Sequence, residues 1–114
     1  MPGAALRAET YKQLFELKQK HPRVFKLGRN TQFFENEDPD AKTHGFKIYY
    51  HHYHILTVWD DDTVSFNLCG FNTRSTLDRV NTFILPKHRV RSMSWVPFLD
   101  GEFIDRFTWH EVSI

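Results

Sequence analysis

The stretch KIYYHHYHILTVWDDDTVSFNLC, Lys47 to Cys69, decides the fold. Its first part is dense in β-branched and aromatic residues, which suit a pleated, half-buried backbone, so residues 47–59 read as one long strand. Asp60, Asp61 and Asp62 then supply side chains that favour turn positions. Beyond them the pattern alternates, with Val64, Phe66 and Leu68 on one side and Thr63, Ser65 and Asn67 on the other. Two strands joined by a short turn make an antiparallel hairpin. The rest of the chain is arranged around it.

Downstream, Gly70 ends the second strand, and STLDRVNTFIL (75–85) predicts a short helix. Leu77, Val80 and Ile84 recur at i, i+3, i+7 with Phe83 beside them, and Pro86 closes the run. RVRSMSWVPFL (89–99) and EFIDRFTWHEV (102–112) read as two more strands joined by Asp100-Gly101, a pair that accepts the positive φ angles of a type I′ turn. Upstream, ALRAETYKQLFELKQK (5–20) is built from helix formers, with Tyr11, Leu14 and Phe15 on one face and Pro22 as a stop. RVFKLGRNTQFF (23–34) reads as a short strand or an irregular apron, and ENEDPDAKTHG (35–45) as a surface loop and hinge. The expected fold class is α+β: an N-terminal helix, then a mainly antiparallel sheet of about four strands with a short helix between the two hairpins. Residues 1–44 would form a basic helix and an acidic arm, and residues 45–114 the α+β core of a single compact domain.

Composition narrows the function. Of the 114 residues, 40% are hydrophobic and 16% aromatic, enough to build a core and too many for a disordered chain. One cysteine, Cys69, excludes a disulfide within the chain and a zinc site made of several thiolates, and it points to an intracellular protein. No apolar run is long enough for a membrane span, and MPGAALRAETYKQ has no signal-peptide core. The formal charge is +1 but unevenly spread: residues 1–30 carry seven Lys/Arg against two Asp/Glu, and residues 31–62 carry two against seven. This asymmetry can steer a charged partner to the first segment. The simpler reading is a solvated helix face.

The run Asn67 to Asn81 carries a family resemblance. Asn67, Gly70, Phe71, Thr73, Thr76, Arg79, Val80 and Asn81 fit the pattern Asn-x-x-Gly-aromatic-x-Thr-x-x-Thr-x-x-Arg-Ile-Asn, with Tyr50, His51 and His52 near an upstream Tyr-His pair and Trp95 downstream. This resembles a family of small uncharacterised proteins of tailed bacteriophages, over roughly residues 45–100. The resemblance implies a virus-encoded protein in the cytoplasm of an infected bacterial host, and it brings no activity. Cys69 stands where the family often doubles the glycine, which puts in question an unusual backbone conformation at that residue.

Several residues are candidates for contact with an anion or a partner. A helix N-terminus presents unpaired N–H groups, to which Thr73, Ser75 and Thr76 can add hydroxyls and Arg74 or Arg79 a guanidinium. The competing reading is architectural: Thr73 or Ser75 caps the helix, Asp78 imitates a capping box, and Arg79 and Asn81 tie the helix to strand ends through backbone carbonyls. Arg74 lies outside the matched positions and is the better probe of a partner. His52 and His54, if both on one strand, share a face, yet no third ligand has a spacing signature, so no metal is expected. Three aspartates at a hairpin tip form a turn, and Cys69 at a strand end is a small filler. Trp95, Phe98, Phe103, Phe107 and Trp109, near Arg89, Arg91 and Arg106, are expected mostly in the core, and any ring left exposed becomes an anchor for a partner.

No nucleophile, base and oxyanion donor can be assembled, so the sequence points away from an enzyme and needs no cofactor. The preferred function is stoichiometric binding to a host protein complex, as in an inhibitor of a bacterial defence nuclease of the anti-CRISPR kind. The first alternative is a nucleic-acid-binding module using the basic N-terminal segment with Arg74, Arg79, Arg89 and Arg91. The second is an enzyme acting on a nucleotide or phosphate at the Gly70 turn.

Overall fold

The structure, a computed structural model, describes residues 8–41 and 43–114. The fold is α+β. Helix α1 (Tyr11–Lys20) is followed by β1 (Lys26–Gly28), β2 (Thr31–Glu35), β3 (Gly45–Tyr50), β4 (Tyr53–Trp59) and β5 (Thr63–Phe66). Helix α2 (Arg74–Ile84) leads to β6 (Val90–Met93), β7 (Val96–Leu99), β8 (Glu102–Phe103) and β9 (His110–Ser113). These strands form two antiparallel sheets, one of six strands in the order β1-β2-β3-β4-β5-β9 and one of three in the order β6-β7-β8. A sheet of about four strands is therefore corrected to six, with a second small sheet beside it.

The differences come from turns that hydrophobic patterning does not reveal. Residues 47–59 are not one strand, because His51 and His52 take φ of 49° and 69° and close a two-residue hairpin between Tyr50 and Tyr53. Residues 89–99 fold likewise: Ser94 and Trp95, at φ 51° and 67°, turn β6 back as β7. Two positive φ angles at the centre of a two-residue loop define the type I′ hairpin, and neither residue pair is one that favours it. Asp100 and Gly101, at 51° and 88°, form the expected turn from β7 to β8. Residues 102–112 divide into a two-residue strand in the small sheet, an irregular passage, and β9, which pairs with β5. Where 23–34 read as a short strand or apron and Glu35 as loop, residues 26–35 form a hairpin whose second strand pairs with β3 from Thr31↔Tyr50 to Glu35↔Phe46.

Both helices cover one face of the large sheet. Phe33, Phe46, Ile48, Leu56, Val58, Val64 and Phe66 project from that face, and Leu77, Val80, Phe83 and Ile84 of α2 and Leu14 of α1 pack against them. Each such side chain, fully buried, contributes about 1.5–3 kcal/mol. α1 begins at Thr10, whose side chain accepts a hydrogen bond from the Gln13 N–H. The part of the expected helix at residues 5–7 lies outside the described residues. Phe15, expected on the buried face, is exposed.

One irregularity sets the opposite face. Ile48 pairs with Leu56 but Tyr49 pairs with His54, so Ile55 is an extra residue in β4. This β-bulge changes the parity of the strand. His54 shares a side with Thr57, three residues on, and the His54 Nε2 and Thr57 Oγ1 lie 2.9 Å apart. A regular strand would turn His54 toward the core beside Leu56 and Val58.

Candidate functional site

The junction from Asn67 to Asn81 is held by its own side chains. The Asn67 Oδ1 accepts from the Cys69 N–H at 2.8 Å, and the Asn67 amide donates to the Phe107 carbonyl at 3.3 Å. Cys69 takes φ 55° and Gly70 φ 83°, so the unusual conformation does occur at residue 69, without glycine. Gly70 donates its N–H to the Arg106 carbonyl at 2.8 Å, and a Cβ there would sit 2.6 Å from the Phe107 ring. Asn67 and Gly70 thus fasten the end of β5 to the passage before β9. A left-handed residue other than glycine costs roughly 1–2 kcal/mol. Cys69→Gly is therefore expected to stay within about 1 kcal/mol of the parent in urea unfolding, the relieved strain offsetting lost packing. Cys69→Val should destabilise by about 2 kcal/mol, because a β-branched residue fits that conformation worst.

The cap belongs to Thr73, whose Oγ1 accepts from the Thr76 N–H at 3.5 Å and lies 3.1 Å from the Thr76 hydroxyl. The capping box imagined from Ser75 to Asp78 does not form. Asp78 instead faces Arg74 at 3.9 Å, a pair with side chains 95% and 67% exposed, which contributes little. Arg79 turns back along its helix and out to the β1–β2 turn: its Nε donates to Thr31 Oγ1 at 2.9 Å, and its two terminal nitrogens to the Ser75 and Arg29 carbonyls at 3.0 and 3.1 Å. Its guanidinium also lies 3.8 Å from the centre of the Tyr50 ring. The Asn81 side chain donates to the Val90 carbonyl at 2.9 Å and accepts from the Val90 N–H at 2.8 Å, joining α2 to the small sheet as a paired strand would.

The anion-binding set is thus scattered. Arg79 and Asn81 are occupied by backbone carbonyls, His52 sits in the β3–β4 turn, and Arg91 is exposed on β6. What the N-terminus of α2 does border is a cleft of about 320 Å³ lined chiefly by Tyr50, Tyr53, Ile55, Phe71, Thr73 and Thr76. The hydroxyls of Thr73, Ser75 and Thr76 bond one another, and no Lys or Arg lines the cleft. Burial pushes the Cys69 thiol above its ordinary value, so it stays protonated at neutral pH. Among the described residues no three His, Cys, Asp or Glu side chains converge to hold a metal ion, and no helix is long and apolar enough to cross a membrane.

Two side chains to which the sequence assigned no structural role position the small sheet. Asn72, buried, donates to the Ser92 hydroxyl and to the Trp95 carbonyl, which fixes the β6–β7 turn. His88 lies between sheets, with Nδ1 2.6 Å from Asp100 Oδ2 and Nε2 2.8 Å from the Ser113 carbonyl. The His88 ring, and then the Arg89 N–H, hold the Asp100 carboxyl below the usual carboxylate range. The folded form therefore binds this proton less tightly than the unfolded chain. The stabilisation is complete above the unfolded value of about 3.9 and is lost as pH falls through the lower folded value. Asp100→Asn should accordingly be less stable than the parent at neutral pH, and the gap should close in acid thermal melts.

The small sheet carries a ridge of exposed rings. Trp95 is 81% exposed, Phe103 67% and Phe107 66%, with Met93 beside them. Trp95, Phe103 and Phe107 border one shallow groove with Pro97, Ile104 and Arg106. The expectation that these rings are mostly core is corrected, and the reason is the broken strand: residues 102–109 do not continue along one sheet face. No protein-family model, curated protein or solved structure matches the chain.

Proposed function

We propose that this protein acts by stoichiometric binding to another protein through the Trp95 ridge. The observation that carries this reading is the turn itself. A type I′ turn favours Asn-Gly, and its two positions are filled here by Ser94 and a tryptophan, both at positive φ. Local strain is retained where something else requires it. What it holds here is the most exposed large ring among the described residues, flanked by Phe103 and Phe107. Exposed aromatic anchors of this kind dominate protein interfaces. The charges around them balance, with Arg89, Arg91 and Arg106 against Asp100, Glu102 and Asp105, which suits a protein surface better than a nucleic-acid backbone.

The resemblance of Asn67–Asn81 to small tailed-phage proteins supports a partner in the cytoplasm of an infected bacterial host. Within that setting the proposed role is a non-enzymatic inhibitor occupying a host complex, of which a defence nuclease blocked in the anti-CRISPR manner is the specific form. Trp95→Gly is the sharp test, since glycine relieves the turn and removes the anchor together. The variant should unfold at the same denaturant concentration or a higher one, by up to about 1 kcal/mol. It should also fail to retain a partner that the parent captures from host lysate at one-to-one ratio. A variant that holds the partner as tightly as the parent removes the ridge from the interface.

A further inference from the structure

The face of the large sheet turned away from both helices carries a row of rings. Centroid separations are 6.1 Å from Phe25 to Phe34, 5.8 Å from Phe34 to Tyr49, 5.1 Å from Tyr49 to His54 and 4.8 Å from His54 to Trp109. The row runs from the residue before β1, across β2, β3 and β4, to the residue before β9. At the usual strand spacing of about 4.8 Å it is ~20 Å long. Phe25, Phe34 and Trp109 are exposed, and Tyr49 and His54 are half-buried. His54 completes the row only because the extra Ile55 turns it to this side. Burial, and then the Lys47 charge, hold its pKa below the ordinary imidazole value, so the ring stacks as a neutral heteroaromatic.

Cations lie beside the rings. A groove of about 250 Å³ at the β1–β2 and β3–β4 turns is lined by Lys26, Arg29, Asn30, Gln32, His51 and His52, with no carboxylate in its walls. Among the described residues neither Lys26 nor Arg29 is engaged in an ion pair, and the Lys26 Nζ stands 5.8 Å from the centre of the Phe25 ring. Lys47 pairs with Phe34 and Thr57 on the same sheet face. Glu111 on this face belongs to β9, the edge strand at the other side of the sheet, while Glu35 and Glu37 share with Phe34 a groove distinct from the cationic one. His51 and His52 hold their turn at positive φ, so strain is spent on presenting two more ring donors to this groove.

A row of partly exposed rings beside an acid-free cationic groove offers the two components that a single nucleic-acid strand requires, the first for its bases and the second for its phosphates. We propose that this face binds single-stranded nucleic acid, with bases against Phe34, Tyr49, His54 and Trp109 and the backbone along Lys26, Arg29 and the His51–His52 turn. The row has room for on the order of four nucleotides. The row shares no ring with the Trp95 ridge, although Trp109 stands two residues from Phe107.

Fluorescence anisotropy of labelled oligothymidylate and oligouridylate of about 12 nucleotides, at low salt, tests the proposal. Saturable binding is expected, weakened about tenfold or more by Trp109→Ala or Phe34→Ala. The double change Lys26→Ala with Arg29→Ala should weaken it similarly and reduce the salt slope by about 1–2. Those two residues are on the surface, and unchanged thermal melting of that variant would exclude unfolding as the cause. Trp95→Gly should bind the oligonucleotide as the parent does, so the two surfaces fail or succeed separately. Absence of saturable binding overturns the proposal. So does a duplex bound as tightly as a single strand, or an affinity indifferent to loss of Phe34 and Trp109.

Discussion

Arg79→Ala will lower the free energy of unfolding by about 2–4 kcal/mol, measured in urea with an unchanged m value. The guanidinium joins α2 to the β1–β2 turn through Thr31 and the Arg29 carbonyl, to its own helix through the Ser75 carbonyl, and to β3 through the Tyr50 ring. A charge-assisted hydrogen bond contributes about 1.5–3 kcal/mol net, and a cation over a ring about 0.5–1, so partial exposure still leaves the total substantial. Arg79→Lys should recover less than half of the loss, because an ammonium cannot reproduce a planar fork that meets three acceptors in different directions. Arg79 fitted both a phosphate loop and a helix tie, and the geometry favours the tie. A variant of parental stability that had lost affinity for an anion would reverse that assignment.

Asn81→Ala should cost a similar amount, about 2–4 kcal/mol, for a different reason. The side-chain amide satisfies both the N–H and the C=O of Val90, a residue only 2% exposed. Removing it leaves two buried backbone groups without partners, each costing about 1–3 kcal/mol. Asn81→Asp separates donor from acceptor, since the carboxylate can still accept from the Val90 N–H but repels the carbonyl. It should be as damaging as alanine at neutral pH. Hydrogen exchange at the Val90 amide would report the loss directly, rising in both variants before global unfolding does.

Much of the frame is legible in the residues, and the illegible part has a common cause. The Asp100-Gly101 turn, the Thr73 cap and the Leu77, Val80, Ile84 stripe of α2 are local signals, each satisfied by residues close in sequence. The suggestion that Arg79 and Asn81 tie the helix to backbone carbonyls is also what the structure contains. The turns at His51-His52 and Ser94-Trp95 stay hidden because residues that disfavour positive φ occupy them, and tertiary packing imposes the conformation. The bulge at Ile55 is hidden for the same reason, since alternation within β4 alone cannot show which neighbour slips. The row of rings and the exposed ridge therefore emerge only in three dimensions. They depend on the unexpected turns and the bulge more than on any motif.

β5 and β9 are neighbours in the large sheet, yet α2 and the whole small sheet lie between them in the chain. The small sheet is fastened near its base by Asn81 at Val90, Asn72 at Ser92 and the Trp95 carbonyl, and His88 at Asp100. The side chains of the ridge take no part in those ties. Changes at the ridge are therefore expected to add to, rather than multiply, changes in the large sheet, as energetically independent sites do. In mechanical terms the small sheet is a head pinned to a handle made of the large sheet and α2. On the proposed reading, Trp95 and Phe103 can be exchanged with little cost to that handle, whereas Phe107, whose ring lies against Gly70, is tied to it.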